Sequence, residues 1–132
     1  MKMNISEKVE YWLELSDYDF KTAEAMLNSQ RYLYVGFMCH QSVEKMLKAV
    51  FVKRFEEIPP FTHSLSQLLK KLDFENIMSE KQLGIIDKLE PLNIETRYPT
   101  YKEELFRLLT KEYCNTIFSE TQELLKWIKA QL

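Results

Sequence analysis

The residues with most chemical potential crowd into one stretch, His40-Gln41-Ser42-Val43-Glu44-Lys45-Met46-Leu47-Lys48. At helical spacing Gln41, Glu44, Lys45 and Lys48 form a compact polar strip, while His40 falls among apolar neighbours. Lys45 and Lys48, with Lys53 and Arg54 further on, make the second half of this stretch basic. Cations there suit the C-terminal end of a helix dipole, and they also suit a phosphate. A second group is Arg97-Tyr98-Pro99-Thr100-Tyr101. An arginine fork matches phosphate oxygens, and tyrosine rings stack on bases. The competing reading ties Arg97 to Asp19 or Glu44 as a structural ion pair. His63, in Pro60-Phe61-Thr62-His63-Ser64, either caps a helix or meets a ligand from the loop side. His40 and Glu44 stand at i, i+4, a spacing that a metal accepts, but no third ligand accompanies them, so no metal site is expected. No Gly-rich phosphate loop, zinc-protease motif or nucleophile elbow is present, and no cofactor is implied.

These side chains need helices to hold them. Around the first group, Leu33, Val35, Gly36, Phe37, Cys39, His40, Val43, Met46, Leu47, Val50 and Phe51 cover more than half of a helix circumference between about Tyr32 and Phe55. A surface helix needs a narrower stripe, so this element should be central, packed on several neighbours, with the polar strip as its remaining edge. Pro59-Pro60 should stop it near Glu56-Glu57. Before it, a helix from a Ser6 cap to Asn28 carries Val9, Trp12, Leu13, Ser16, Phe20, Ala23, Met26 and Leu27 on one face. Asp17 should face solvent there, and Asp19 should pair with a cation of a neighbouring helix. The short Asn28-Ser29-Gln30 connection makes the two helices antiparallel. A short third helix capped by Thr62 or His63 runs through Leu65, Leu68, Leu69 and Leu72. Ser79 and Gln82 then form a capping box for a helix lined by Leu83, Ile86 and Leu89 and ended or kinked at Pro91. Residues 95–101 read as an ordered loop, Leu105–Leu109 as a short helical lead-in. The last helix starts near Thr110, with Tyr113, Ile117, Thr121, Leu124 and Ile128 as its stripe and Trp127 beside it. The expected architecture is all-α: an up-and-down four-helix bundle with an additional short helix, one domain over residues 1–132.

The totals agree. The chain has 132 residues, 45% hydrophobic and 29% charged, with only two glycines and four prolines, which favours long helices over strands and turns. A net charge of −2 argues against a broadly basic nucleic-acid binder but leaves room for a local patch. Cys39 and Cys114 show neither CxxC nor zinc spacing and read as buried thiols. No apolar run approaches the roughly 20 residues that span a bilayer, and the charged, amphipathic start is unlike a signal peptide. The expectation is a cytoplasmic protein without membrane contact. The wide apolar arc of the central helix, with Tyr34, Tyr98 and Trp127 to spare, predicts a homodimer.

Four segments together resemble the HEPN domain family: Trp12–Ala23 with Asp19 at the recurrent acidic position, His40–Ala49, Thr62-His63-Ser64-Leu65, and Thr96-Arg97-Tyr98-Pro99. The resemblance spans nearly the whole chain. It implies a helical bundle that dimerises around a polar cleft and pairs with a nucleotidyltransferase, often as toxin and antitoxin or in defence. Many members are ribonucleases in which an Arg is followed, after four to six residues, by a His. Here those positions hold Lys102, Glu103 and Glu104, so the motif is absent. The reading that remains is a nucleotide- or RNA-binding protein, with Arg97, Tyr98, Lys45, Lys48 and Gln41 as ligand contacts. Two alternatives stand beside it: a ribonuclease in which Arg97 works with His63 or His40, and a purely structural helical module.

Overall fold

The computed structural model describes residues 2–94 and 99–132, with the backbone alone at 99 and 100. Arg97 and Tyr98 lie outside the described residues. Among those described there are six α-helices and no strand: α1 (Ile5–Asn28), α2 (Tyr32–Phe55), α3 (Leu65–Leu72), α4 (Glu80–Leu89), α5 (Pro99–Leu108) and α6 (Lys111–Lys129). Short 3-10 turns at Phe74–Asn76 and Glu90–Leu92 follow α3 and α4.

Local chemistry sets the boundaries. The side chain of Asn4 accepts from the Glu7 amide at 2.8 Å, so α1 starts before the expected Ser6 cap, which falls inside its first turn. Asn caps as well as Ser. Helix α2 ends at Phe55, where Glu56 turns left-handed (φ 54°) and returns its amide to Val52. The stop therefore comes three residues before the prolines. Helix α3 is capped by Ser64, which accepts from Gln67 N at 3.3 Å. Neither Thr62 nor His63 caps it; Thr62 Oγ1 instead accepts from the Ser64 amide. The capping box of α4 is present in both directions, at 3.1 and 2.9 Å. Its inner face is Ile85, Ile86 and Leu89, with Leu83 only half-buried. Pro91 stands in the 3-10 turn that ends the helix.

Pro99 opens a ten-residue helix rather than standing in a loop. A proline lacks the N–H that a first-turn residue would leave unpaired, and its φ is already helical. The expected loop therefore gives way to α5 from residue 99, and the expected lead-in from Leu105 is its second half. Thr110 caps α6 by accepting from Tyr113 N at 3.2 Å.

Helix α2 is the hub. Val35, Cys39, Val43, Leu47, Ala49 and Val50 are all 0–1% exposed, and α1, α3 and α6 pack around them. Gly36 allows a close approach: a Cβ there would stand 3.1 Å from Leu92 Cδ1 and 3.4 Å from Leu109 Cδ1. The wide apolar arc is thus covered within one chain, and Trp127 packs edge-on against Phe74. Of the described aromatics expected to be spare, Tyr34 stays exposed. Cys39 and Cys114 are buried and unlinked.

Candidate functional site

The polar strip of α2 is not an open edge. Gln41, Glu44 and Lys48 are 8%, 2% and 6% exposed. Two other elements cover it: α1, which lays Trp12 against Lys48 (Nζ 5.6 Å from the ring centroid), and the segment leading into α3, which brings in His63. A polar strip on a hub helix survives burial only if its charges are paired, and these are.

Glu44 is the centre. Lys48 Nζ donates to Oε2 at 3.0 Å from one turn later on the same helix. His63 Nδ1 stands 3.1 Å from Oε1 and 3.3 Å from Oε2. His40 Nδ1 is 3.9 Å from Oε1, and the Gln41 side-chain amide donates to the same nitrogen at 3.4 Å. Three potential cations therefore converge on one buried carboxylate. His40 is fully buried and its Nε2 has no hydrogen-bond partner among the described residues. Burial pushes its pKa below the ordinary value, against the pull of the Glu44 and Glu90 carboxylates. His63 differs: its side chain is 51% exposed while its Nδ1 is held by Glu44. The ring thus offers its far edge, with Nε2, to whatever approaches.

Glu90 organises the entry to α3. Its carboxylate accepts from the amides of Leu65 and Ser66 and from the Ser66 hydroxyl, each at 2.9 Å. This fixes the start of the helix immediately after His63, where the unpaired amides favour an anion. Within the same strip, on the side that α1 covers, Lys45 pairs with Asp19 of α1, as the sequence led us to expect. Ser16 Oγ donates to the Ser42 carbonyl at 2.7 Å and locks the same pair of helices.

Of the sequence-derived site residues, His40, Gln41, Lys48 and His63 meet around Glu44. Lys45 is displaced onto Asp19, with its side chain 21% exposed. Both lysines already have carboxylate partners. Glu44 and Asp19, proposed above as partners for Arg97, are engaged by Lys48, His63 and Lys45. Trp12 and Glu90 were not singled out from the sequence as parts of a site. Trp12 read as an ordinary stripe residue, and Glu90 carries no periodic signal. Among the described residues no group of three metal-ligating side chains is arranged to hold an ion, and no helix is long and apolar enough to cross a membrane.

An all-α bundle whose hub helix carries a buried acid shared by two histidines and a lysine is the class that fold and site define. The HEPN domain model matches residues 9–131, and the chain belongs to that family. Two solved structures share the fold. TT1696 from Thermus thermophilus is 23% identical with a TM-score of 0.80, over 98% of this chain and 100% of that one. ST0689, an archaeal HEPN homologue, is 20% identical with a TM-score of 0.70, over 99% and 98%. No curated protein matches the chain.

Proposed function

We propose that this HEPN domain binds a nucleotide or an RNA phosphate on the face where His63 emerges, as a homodimer acting beside a nucleotidyltransferase in a toxin–antitoxin-like or defence-like pair. The observation that supports the reading is the half-exposed His63 ring held through Nδ1 by the buried Glu44. With a hydrogen on both nitrogens, such a ring donates to Glu44 from one side and to a phosphate oxygen from the other. The amides behind it at Leu65 and Ser66 are already taken by Glu90, so the ring is the donor that remains. Arg97 and Tyr98 supply the guanidinium and the stacking ring in this reading, on the strength of the family pattern. Lys45, Lys48 and Gln41 act as its background of positive charge and amide donors.

The test is calorimetric titration of wild type with nucleoside triphosphates and short single-stranded RNA, beside Arg97→Ala and His63→Gln. Each substitution should weaken binding by about 1–3 kcal/mol, the range for a lost charge-assisted hydrogen bond, with helix content unchanged. A wild type that binds none of these ligands sinks the reading.

One observation favours a second reading. A buried carboxylate orienting an accessible imidazole is the arrangement that general acid–base catalysis uses. A ribonuclease with His63 in place of the missing motif His would draw on the same pair. His40, sealed in the core, does not share this access.

A further inference from the structure

A groove of about 440 Å³ runs between α1 and α6. Its floor is apolar, from Leu13, Phe20, Met46 and Leu125. Met46 stands two residues beyond Glu44, so the groove opens on the opposite side of α2 from His63. Its walls carry opposite charge. Glu10, Glu14 and Asp17 line the α1 side; Gln122, Lys126 and Lys129 line the α6 side. Both walls follow the same i, i+4, i+7 spacing, so each is a straight rail of about 10 Å, two turns of helix. Asp17 is paired with Lys21 on its own helix. Glu10, Glu14, Lys126 and Lys129 make no ion pair with any described residue, and so do not pair across the groove either.

We infer that this groove receives an amphipathic helix of a second, different protein, with two of its turns lying between the walls. Charge complementarity and the absence of backbone partners choose that occupant. The walls are helices whose main-chain groups are engaged in their own ladders, so an extended segment would leave its amides and carbonyls unpaired over an apolar floor. A helix satisfies its own backbone and presents side chains alone. Its apolar stripe, at i, i+3 or i+4 and i+7, meets Leu13, Phe20, Met46 and Leu125. Basic residues on one flank of that stripe meet Glu10 and Glu14, and acidic residues on the other flank meet Lys126 and Lys129. Walls of opposite sign also fix direction. A helix with Lys on one flank and Glu on the other satisfies both walls in one orientation along the groove and neither wall when reversed. A helix with flanks of one sign is repelled by one wall whichever way it lies. Tyr18, one turn beyond Glu14 and 71% exposed, extends the acidic wall with a residue type that interfaces favour. Docking here is independent of the ligand proposed at His63 and of the homodimer.

The experiment is fluorescence anisotropy with a helix-stapled peptide of about four turns, carrying a Leu stripe with Lys on one flank and Glu on the other. Beside it stand a peptide of the same composition in scrambled order and two Leu-stripe peptides whose flanks are all Glu or all Lys. The proteins are wild type, E10K/E14K and K126E/K129E, with E75K/D87K as the same charge change away from the groove, each checked for wild-type helix content. Wild type and E75K/D87K should bind the mixed-flank peptide about tenfold or more tighter than the other three, since those replace attractive contacts by like-charge ones or break the stripe. E10K/E14K, with both walls basic, should prefer the all-Glu peptide, and K126E/K129E, with both walls acidic, the all-Lys peptide. In methyl NMR spectra of wild type the mixed-flank peptide should shift Leu13, Met46 and Leu125. A mixed-flank peptide that binds no better than the scrambled one, preferences that do not follow the wall reversals, or shifts confined to other residues overturn the proposal. So does light scattering in which both wall reversals lower the wild-type mass, because the groove then holds a second copy of the chain.

Discussion

His63 and Glu44 lie 19 residues apart in the chain and 3.1 Å apart in space. The first stands half in solvent and the second is almost fully enclosed. Through this pair an accessible ring is tied to the charge balance of the interior, so changes at the surface and in the core are linked at one carboxylate.

Removing that carboxylate should be costly. Glu44→Gln keeps the shape but leaves the buried Lys48 ammonium without its counter-charge. Breaking a buried pair from one side costs about 3–5 kcal/mol. Urea denaturation should show a much lower midpoint at unchanged slope. The double variant Glu44→Gln/Lys48→Met should recover much of the loss, since no buried cation then remains. Equal loss in the single and double variants would place the effect in packing rather than charge.

Stability should fall on mild acidification because of His40. Its folded pKa lies below the ordinary value through burial. Below an unfolded pKa of about 6.5, the unfolded chain therefore takes up a proton that the folded chain resists. The contribution is fully present above about 6.5 and is lost as pH drops towards the lowered folded value. His40→Gln should flatten the slope of melting temperature against pH in that window. A wild type with no slope between pH 7 and 5 would contradict this.

The two thiols should be silent until the fold opens. Burial pushes Cys39 up to about 12 and Cys114 up to about 11, and the thiolate is the reactive form. A chromogenic disulfide reagent at pH 8 should label neither cysteine in native protein within minutes and both in concentrated urea. Rapid labelling of either in native protein would count against the burial described.

Efficient RNA cleavage is not expected. Residues 102–104 are Lys, Glu and Glu, so no imidazole follows Arg97 at the family spacing. Loss of general acid–base help typically costs about 10²–10⁴-fold in rate. A labelled single-stranded RNA should stay largely intact with wild type. Robust cleavage abolished by both His63→Ala and Arg97→Ala would install the ribonuclease reading in its place.

Much of this was legible in the residues. The central place of α2 followed from the width of its apolar arc, and Ser79 with Gln82, like Thr110, announced helix starts that the structure retains. The pairing of Asp19 with a cation followed from an acid placed near an apolar stripe. What escaped was long-range. The strip Gln41–Glu44–Lys48 reads as a solvated edge until Trp12 and His63 arrive from other elements, and local periodicity says nothing of either. Pro99 reads as a loop residue because proline breaks helices from within, whereas here it begins one.

The carboxylate of Glu90 holds the first amides of α3 across 25 positions of sequence. A helix of eight residues is too short to persist alone in water. Its first turn is completed by a side chain that reaches it only when the end of α4 has docked. Helices α3 and α4 should therefore form and dissolve as one cooperative unit. The segment that carries His63 is then ordered by an event remote from it in the chain.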